Sequence, residues 1–255
     1  MTLIATKVSR FGIVQASDSN LTAGNQPAGA GKKVFDLPFG RGALAVAGTY
    51  SVGSVEMDRW MSACISTYSA GSNSSLGAFA EHLRERLNRE LTHDEREDFT
   101  MVQIGGYVEQ GDGSAHPAMF FVTNVEGLND DGSYREPAMD DCKLSEDFWD
   151  RDYKVAGTKV AVATGGWQSY FNGFPEGRIA YTALVSALNE FFAFARSVTS
   201  WRFRTPQSLE EVGALTELEF RAMDVMFQVS DYPARYIGGA PQVHLIAPPS
   251  NVVEL

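Results

Sequence analysis

The chain opens Met-Thr, and a strand-like run, T-L-I-A-T-K-V, follows with no polar arm before it. Chain starts are usually frayed and polar, so an apolar strand at the first residue raises the question of what holds it there. Removal of Met1 leaves Thr2 with a hydroxyl and a free α-amine, a pairing that activates a weak oxygen nucleophile. The hydroxyl must lose a proton as it attacks, which calls for a base beside it. An α-amine, with a reference pKa of about 8, titrates close to working pH. A neighbouring lysine lowers that pKa by like-charge repulsion. An aspartate keeps the lysine charged and oriented, and a backbone N–H must face the developing oxyanion.

The sequence supplies each part near a strand end. Asp18 closes the run G-I-V-Q-A-S-D, Lys33 lies in K-K-V-F-D-L, and Gly48 closes G-A-L-A-V-A-G. Alternation within residues 32–37 puts Lys33 on the face of Phe35 and Leu37, and Lys32 with Val34 and Asp36. The Phe35 face is the more apolar, so Lys33 is the expected buried lysine. Taken singly, Asp18 reads as a turn cap and Lys33 as a solvated strand residue. Only their joint placement with Thr2 points to chemistry.

The elements that must position these residues follow from periodicity. Residues 2–9 and 11–18 read as strands joined by a tight turn, 19–31 as a small-residue loop, and 32–37 and 42–48 as a second strand pair. Helical spacing follows over 53–69 and 72–91. Ser74 or Ser75 is the expected cap of the second helix, with Leu76, Phe79, Ala80, Leu83 and Leu87 as its apolar stripe. Strands return at 99–109 and 117–125, then a polar, acidic excursion over 127–152 and a strand at 157–166. Helices over 176–202 and 207–228 precede a closing strand at 235–246. Paired helices between groups of strands fit two face-to-face sheets with helices outside better than βαβ alternation. We expect a single domain over residues 1–255.

Composition narrows the function classes. The 255 residues are 44% hydrophobic and carry a net charge of −11. That balance argues against nucleic acid, whose phosphates are held mainly by Lys and Arg. No secretory signal is visible at the start, and no apolar run reaches the roughly 18 residues of a membrane span. Cys64 and Cys142 are the only cysteines and lack metal spacing, which suggests a reducing compartment. The expected location is the cytoplasm. The four histidines form no metal or triad spacing, and the acidic run 140–152 lacks a calcium-loop pattern. No cofactor or metal is expected.

The stretch TLIATKVSRFGIVQASDSNLTAG, followed by KKVFDL and LAVAGT, resembles the N-terminal region of proteasome β-subunits and of the bacterial proteasome-like peptidase subunit that works with an unfoldase. These are N-terminal nucleophile hydrolases. The resemblance is strong over residues 2–49 and looser beyond. It implies an α+β fold of the four-layer αββα sandwich type. It also implies a threonine peptidase that cleaves peptide or amide bonds, with Thr2 as nucleophile, Asp18 and Lys33 tuning it, and the Gly48 N–H as oxyanion donor. Thr164, in ATGGW, and Asp231 would be supporting residues, and Val46 and Tyr50 would line the substrate pocket. Implied partners are a peptide or amide substrate, further copies in a homo-oligomer or ring, and an ATP-dependent unfoldase; no membrane is implied. The 105–157 stretch is longer than the family usually has. A non-catalytic structural subunit and a non-peptidase amide hydrolase on the same fold are the alternatives.

Overall fold

A computed structural model of the chain describes residues 2–23, 26–69, 75–109, 111–125, 141–147, 167–173, 175–198, 204–230 and 237–251. In chain order it begins with β1 (Leu3–Ser9) and β2 (Gly12–Ser17), every residue of which is buried. Next come β3 (Asn20–Ala23), β4 (Gln26–Ala30), β5 (Val34–Leu37), β6 (Gly42–Gly48), β7 (Ser51–Val52) and β8 (Val55–Glu56). Helices α1 (Met57–Ser69), α2 (Leu76–Glu90) and α3 (His93–Glu97) lead into β9 (Thr100–Glu109), β10 (Ala115–Thr123) and β11 (Lys143–Asp147). The last elements are β12 (Trp167–Gly173), α4 (Pro175–Ser197), α5 (Leu209–Val229) and β13 (Gln242–Ile246).

Two larger sheets carry the core. One is four-stranded in the order β12-β1-β2-β13, the other five-stranded in the order β11-β10-β9-β6-β5. All their pairings are antiparallel. Val8 and Ile13 of the first sheet share one apolar cluster with Leu44, Val102 and Ile104 of the second and with Trp60 and Phe79 of α1 and α2. Leu3, Ala5 and Ala16 pack instead with Tyr181 of α4 and Phe220 and Met223 of α5. α2 forms where its sequence directs it: Ser75 Oγ accepts the Ala78 N–H at 3.2 Å, and the buried stripe is Leu76, Phe79, Ala80, Leu83 and Leu87. Ser208 caps α5 in the same way.

Several expectations need correction. The four-layer αββα sandwich is replaced by a mixed α/β arrangement with, among the described residues, four antiparallel sheets and five helices. Two of the sheets, β3-β4 and β7-β8, are two-stranded hairpins outside the larger pair, and α3 buries none of its residues. The described elements therefore do not reduce to two sheets between two helical layers. The β3-β4 hairpin occupies the segment expected to be a loop. Pairing of backbone groups suffices for a ribbon of small residues, and it leaves no side-chain period to read. The first helix starts at Met57 rather than residue 53, because Gly53 and Ser54 take positive φ in the β7-β8 turn. β11 lies within the expected irregular excursion. The strand expected at 157–166 lies outside the described residues. Among those residues no helix is long and apolar enough to cross a membrane.

Two buried polar groups of residues tie the first sheet in place. Thr6 Oγ1 donates to Gln15 Oε1 at 2.6 Å, Gln103 Nε2 donates to Thr6 Oγ1 at 2.5 Å, and Asn172 Nδ2 donates to Gln103 Oε1 at 3.1 Å, which links β1, β2, β9 and β12. On the helix side, Lys7 Nζ lies 2.7 and 2.5 Å from the two carboxylate oxygens of Glu219, and the Tyr181 hydroxyl donates to the same carboxylate. All three residues are buried. Removing one partner of such a pair strands a charge in a medium that cannot solvate it. Glu219→Ala is expected to destabilise the protein by about 3–5 kcal/mol, read as a lower urea midpoint at unchanged slope. A loss below about 1 kcal/mol, the level of an exposed pair, would contradict the buried pairing.

Candidate active site

Thr2 sits immediately before β1 and is 3% exposed. The start of the strand is held by Asp18, one residue beyond β2. Asp18 Oδ1 accepts the Leu3 N–H at 2.9 Å, and the Asp18 N–H donates to Leu3 O at 3.4 Å. A side chain therefore takes over where the β1-β2 ladder ends, at Ile4 opposite Ser17. This contact holds one side of the β1 start, and the pairing of Leu3 with Gly173 of β12 holds the other.

The other carboxylate oxygen faces Lys33. Asp18 Oδ2 lies 3.2 Å from Lys33 Nζ and also accepts the Asn20 N–H at 3.1 Å. Lys33 Nζ donates in addition to Asn20 O at 2.5 Å. Both charged side chains are 2% exposed. Burial pushes the Lys33 ammonium below the usual lysine range, against the attraction of Asp18. Burial pushes the Asp18 carboxyl up, opposed by Lys33 and by the Leu3 N–H. Lys33 is the buried lysine and Lys32 the exposed one, as expected. However, Lys33 precedes the first residue of β5, so its burial comes from these contacts and not from strand alternation.

One small pocket, of about 40 Å³, is lined by Thr2, Lys33, Val46, Gly48 and Tyr50 together. Asn20, Leu21 and Thr22 of the β3 hairpin form its other side; they fall in the segment whose sequence reads as loop, so no motif points to them. The Tyr50 hydroxyl donates to Lys32 O at 3.1 Å, and its pKa is pushed up to about 12, chiefly by burial. Gly48 has φ +96°, and a Cβ there would lie 1.9 Å from Phe99 O. Gly173 was also missed: at φ +102°, its Cβ would lie 1.9 Å from Thr2 O. β12 can therefore lie against the Thr2 backbone only with glycine at that position. The signal for it in the sequence is no more than a glycine at a strand end.

Thr164 and Asp231 lie outside the described residues. Two wider clefts, each of about 390 Å³, open beside Arg41 and Glu109 and beside Trp167 and Arg204, and neither is lined by Asp18 or Lys33. Among the described residues no group of three or more His, Cys, Asp or Glu is placed to hold a metal. No protein-family profile matches the chain, and no curated protein matches its sequence. The geometry thus brings the Thr2 residue, the Lys33 side chain and the Gly48 bend to one small pocket. Gly48→Ala is expected to cost more than about 1 kcal/mol, since it combines positive φ with a backbone clash. A wild-type thermal midpoint in that variant would contradict the bend.

Proposed function

We propose that this chain is an N-terminal threonine hydrolase that cleaves peptide or amide bonds. One observation carries the proposal: Thr2, Lys33 and Gly48 line a single pocket, with Lys33 anchored to a buried Asp18. The mechanism requires loss of Met1. Thr2 Oγ1 then attacks the substrate carbonyl, and the Thr2 α-amine takes the hydroxyl proton. Lys33 keeps that amine largely neutral and stabilises the charge developing at Oγ1. The Gly48 N–H receives the oxyanion, an interaction worth on the order of 3 kcal/mol. Collapse of the tetrahedral intermediate returns the proton to the leaving amine and forms an ester on Thr2, which water hydrolyses. Val46 and Tyr50 in the wall favour an apolar or uncharged side chain.

The proposed setting is a reducing, cytoplasmic compartment, in keeping with two buried free thiols at Cys64 and Cys142. Protein substrates would need an ATP-dependent unfoldase. We also propose a homo-oligomer. Ile179 and Phe194 on α4 and Val229 on α5 are 60%, 67% and 79% exposed, and such apolar side chains are what a contact between copies would cover. Light scattering at micromolar concentration should give a multiple of the 27.8 kDa chain mass. A monomer would contradict the assembly.

The hydrolase is tested with short fluorogenic peptides on protein whose intact mass shows that Met1 is gone. Thr2→Ala should lower kcat/KM by about 10³-fold or more without loss of folding. Lys33→Ala should cost about 10²-fold or more, and Lys32→Ala, at an exposed position, little. Full activity in Thr2→Ala, or active protein that retains Met1, would overturn the mechanism.

A further inference from the structure

Gln242 is the first residue of β13 and stands opposite Ser17 in the ladder with β2, one residue before Asp18. Its side chain leaves that sheet and crosses to the segment that carries Lys33. Gln242 Oε1 accepts the Lys33 N–H at 2.8 Å and the Val34 N–H at 3.0 Å, and Nε2 donates to Gly31 O at 2.6 Å. Residues 31–33 precede β5 and have no strand of their own. A buried backbone N–H in such a segment must find another partner, and one planar amide here satisfies three backbone groups in four residues. On the opposite side, the Gly31 N–H donates to Ser19 O at 2.8 Å. A single residue is thus tied by its backbone to the strand end bearing Asp18 and by its side chain to the segment bearing Lys33.

We propose that Gln242 is a positioning residue that holds Lys33 against Asp18 from the closing strand, and so sets the geometry of the Thr2 pocket. Its catalytic consequence rests on the hydrolase mechanism proposed above; its effect on Lys33 does not. A staple that only joined β13 to β5 would contribute stability and leave Lys33 chemically unchanged. A positioning residue changes both what Lys33 does and how it titrates.

The test uses the full chain with Gln242→Met, which keeps the length of the side chain and removes all three hydrogen bonds. Gln242→Asn, which keeps the amide but is one methylene too short to span Gly31 and Lys33, is the second variant should the first fail to fold. With a fluorogenic peptide, kcat is expected to fall about 10²-fold with KM changed less than about twofold, the signature of a displaced group. The second readout needs no turnover. The chain has six lysines, so carbon-13 labelling at Cε resolves each, with Lys33→Arg as the assignment. Asp18 is the charged group in contact with Lys33 Nζ, and burial is the larger influence on it. Release of the side chain to solvent should therefore move the Lys33 midpoint up, towards the ordinary lysine value. A wild-type Lys33 titration in a folded variant would overturn the positioning role. Wild-type protein that hydrolyses no peptide, with the Lys33 midpoint still moving in the variant, would sink the hydrolase and leave the positioning role standing.

Discussion

A carboxylate buried to 2% exposure, as Asp18 is, must be surrounded by donors or give up its charge. The donors come from three stretches of chain: the Leu3 N–H at the start of β1, the Asn20 N–H at the start of β3 and Lys33 Nζ ahead of β5. Meeting this one requirement draws the chain start, the end of β2 and the edge of the second sheet to a common point. The pocket exists because those three stretches converge without filling the space in front of Thr2 and Gly48.

The protein holds a second buried lysine–carboxylate pair, and the contrast between the two is informative. Lys7 and Glu219 satisfy each other at both carboxylate oxygens, and Tyr181 donates to the same group. That cluster lies on the side of β1 facing α4 and α5 and presents no group to the pocket beside Thr2. Lys33 instead reaches one oxygen of Asp18 and one backbone carbonyl, and it also lines that pocket. Burial disfavours both ammonium groups, yet of the two only Lys33 lines that pocket. Burial of a charge is therefore not what marks a candidate site here. The open face next to the charge is.

Much of the site was legible in the sequence because its residues lie at strand ends close along the chain. Thr2, Asp18, Lys33 and Gly48 stand out by type and position, and all but Asp18 line the pocket, with Asp18 in contact with Lys33. Val46 and Tyr50 came from the family resemblance and line it too. The α2 stripe and its Ser75 cap were equally readable, since helical periodicity and capping chemistry are local. The β3-β4 hairpin was not, because its small residues carry no alternation, and its Asn20 supplies both a donor to Asp18 and an acceptor for Lys33.

By itself the sequence singled out Thr2, Asp18 and Lys33 as candidates that belong together and Gly48 as a strand end next to them. These depend on side-chain type and on spacing within single strands. Only the tertiary structure decided how the larger sheets and the two small hairpins are arranged, correcting the expected four layers. It also brought in Gly173, whose missing Cβ leaves room for the Thr2 carbonyl, and Gln242, which binds backbone 208 to 211 positions away. Such contacts are fixed by packing and by the need to pair buried backbone groups, neither of which leaves a period or a motif in the chain.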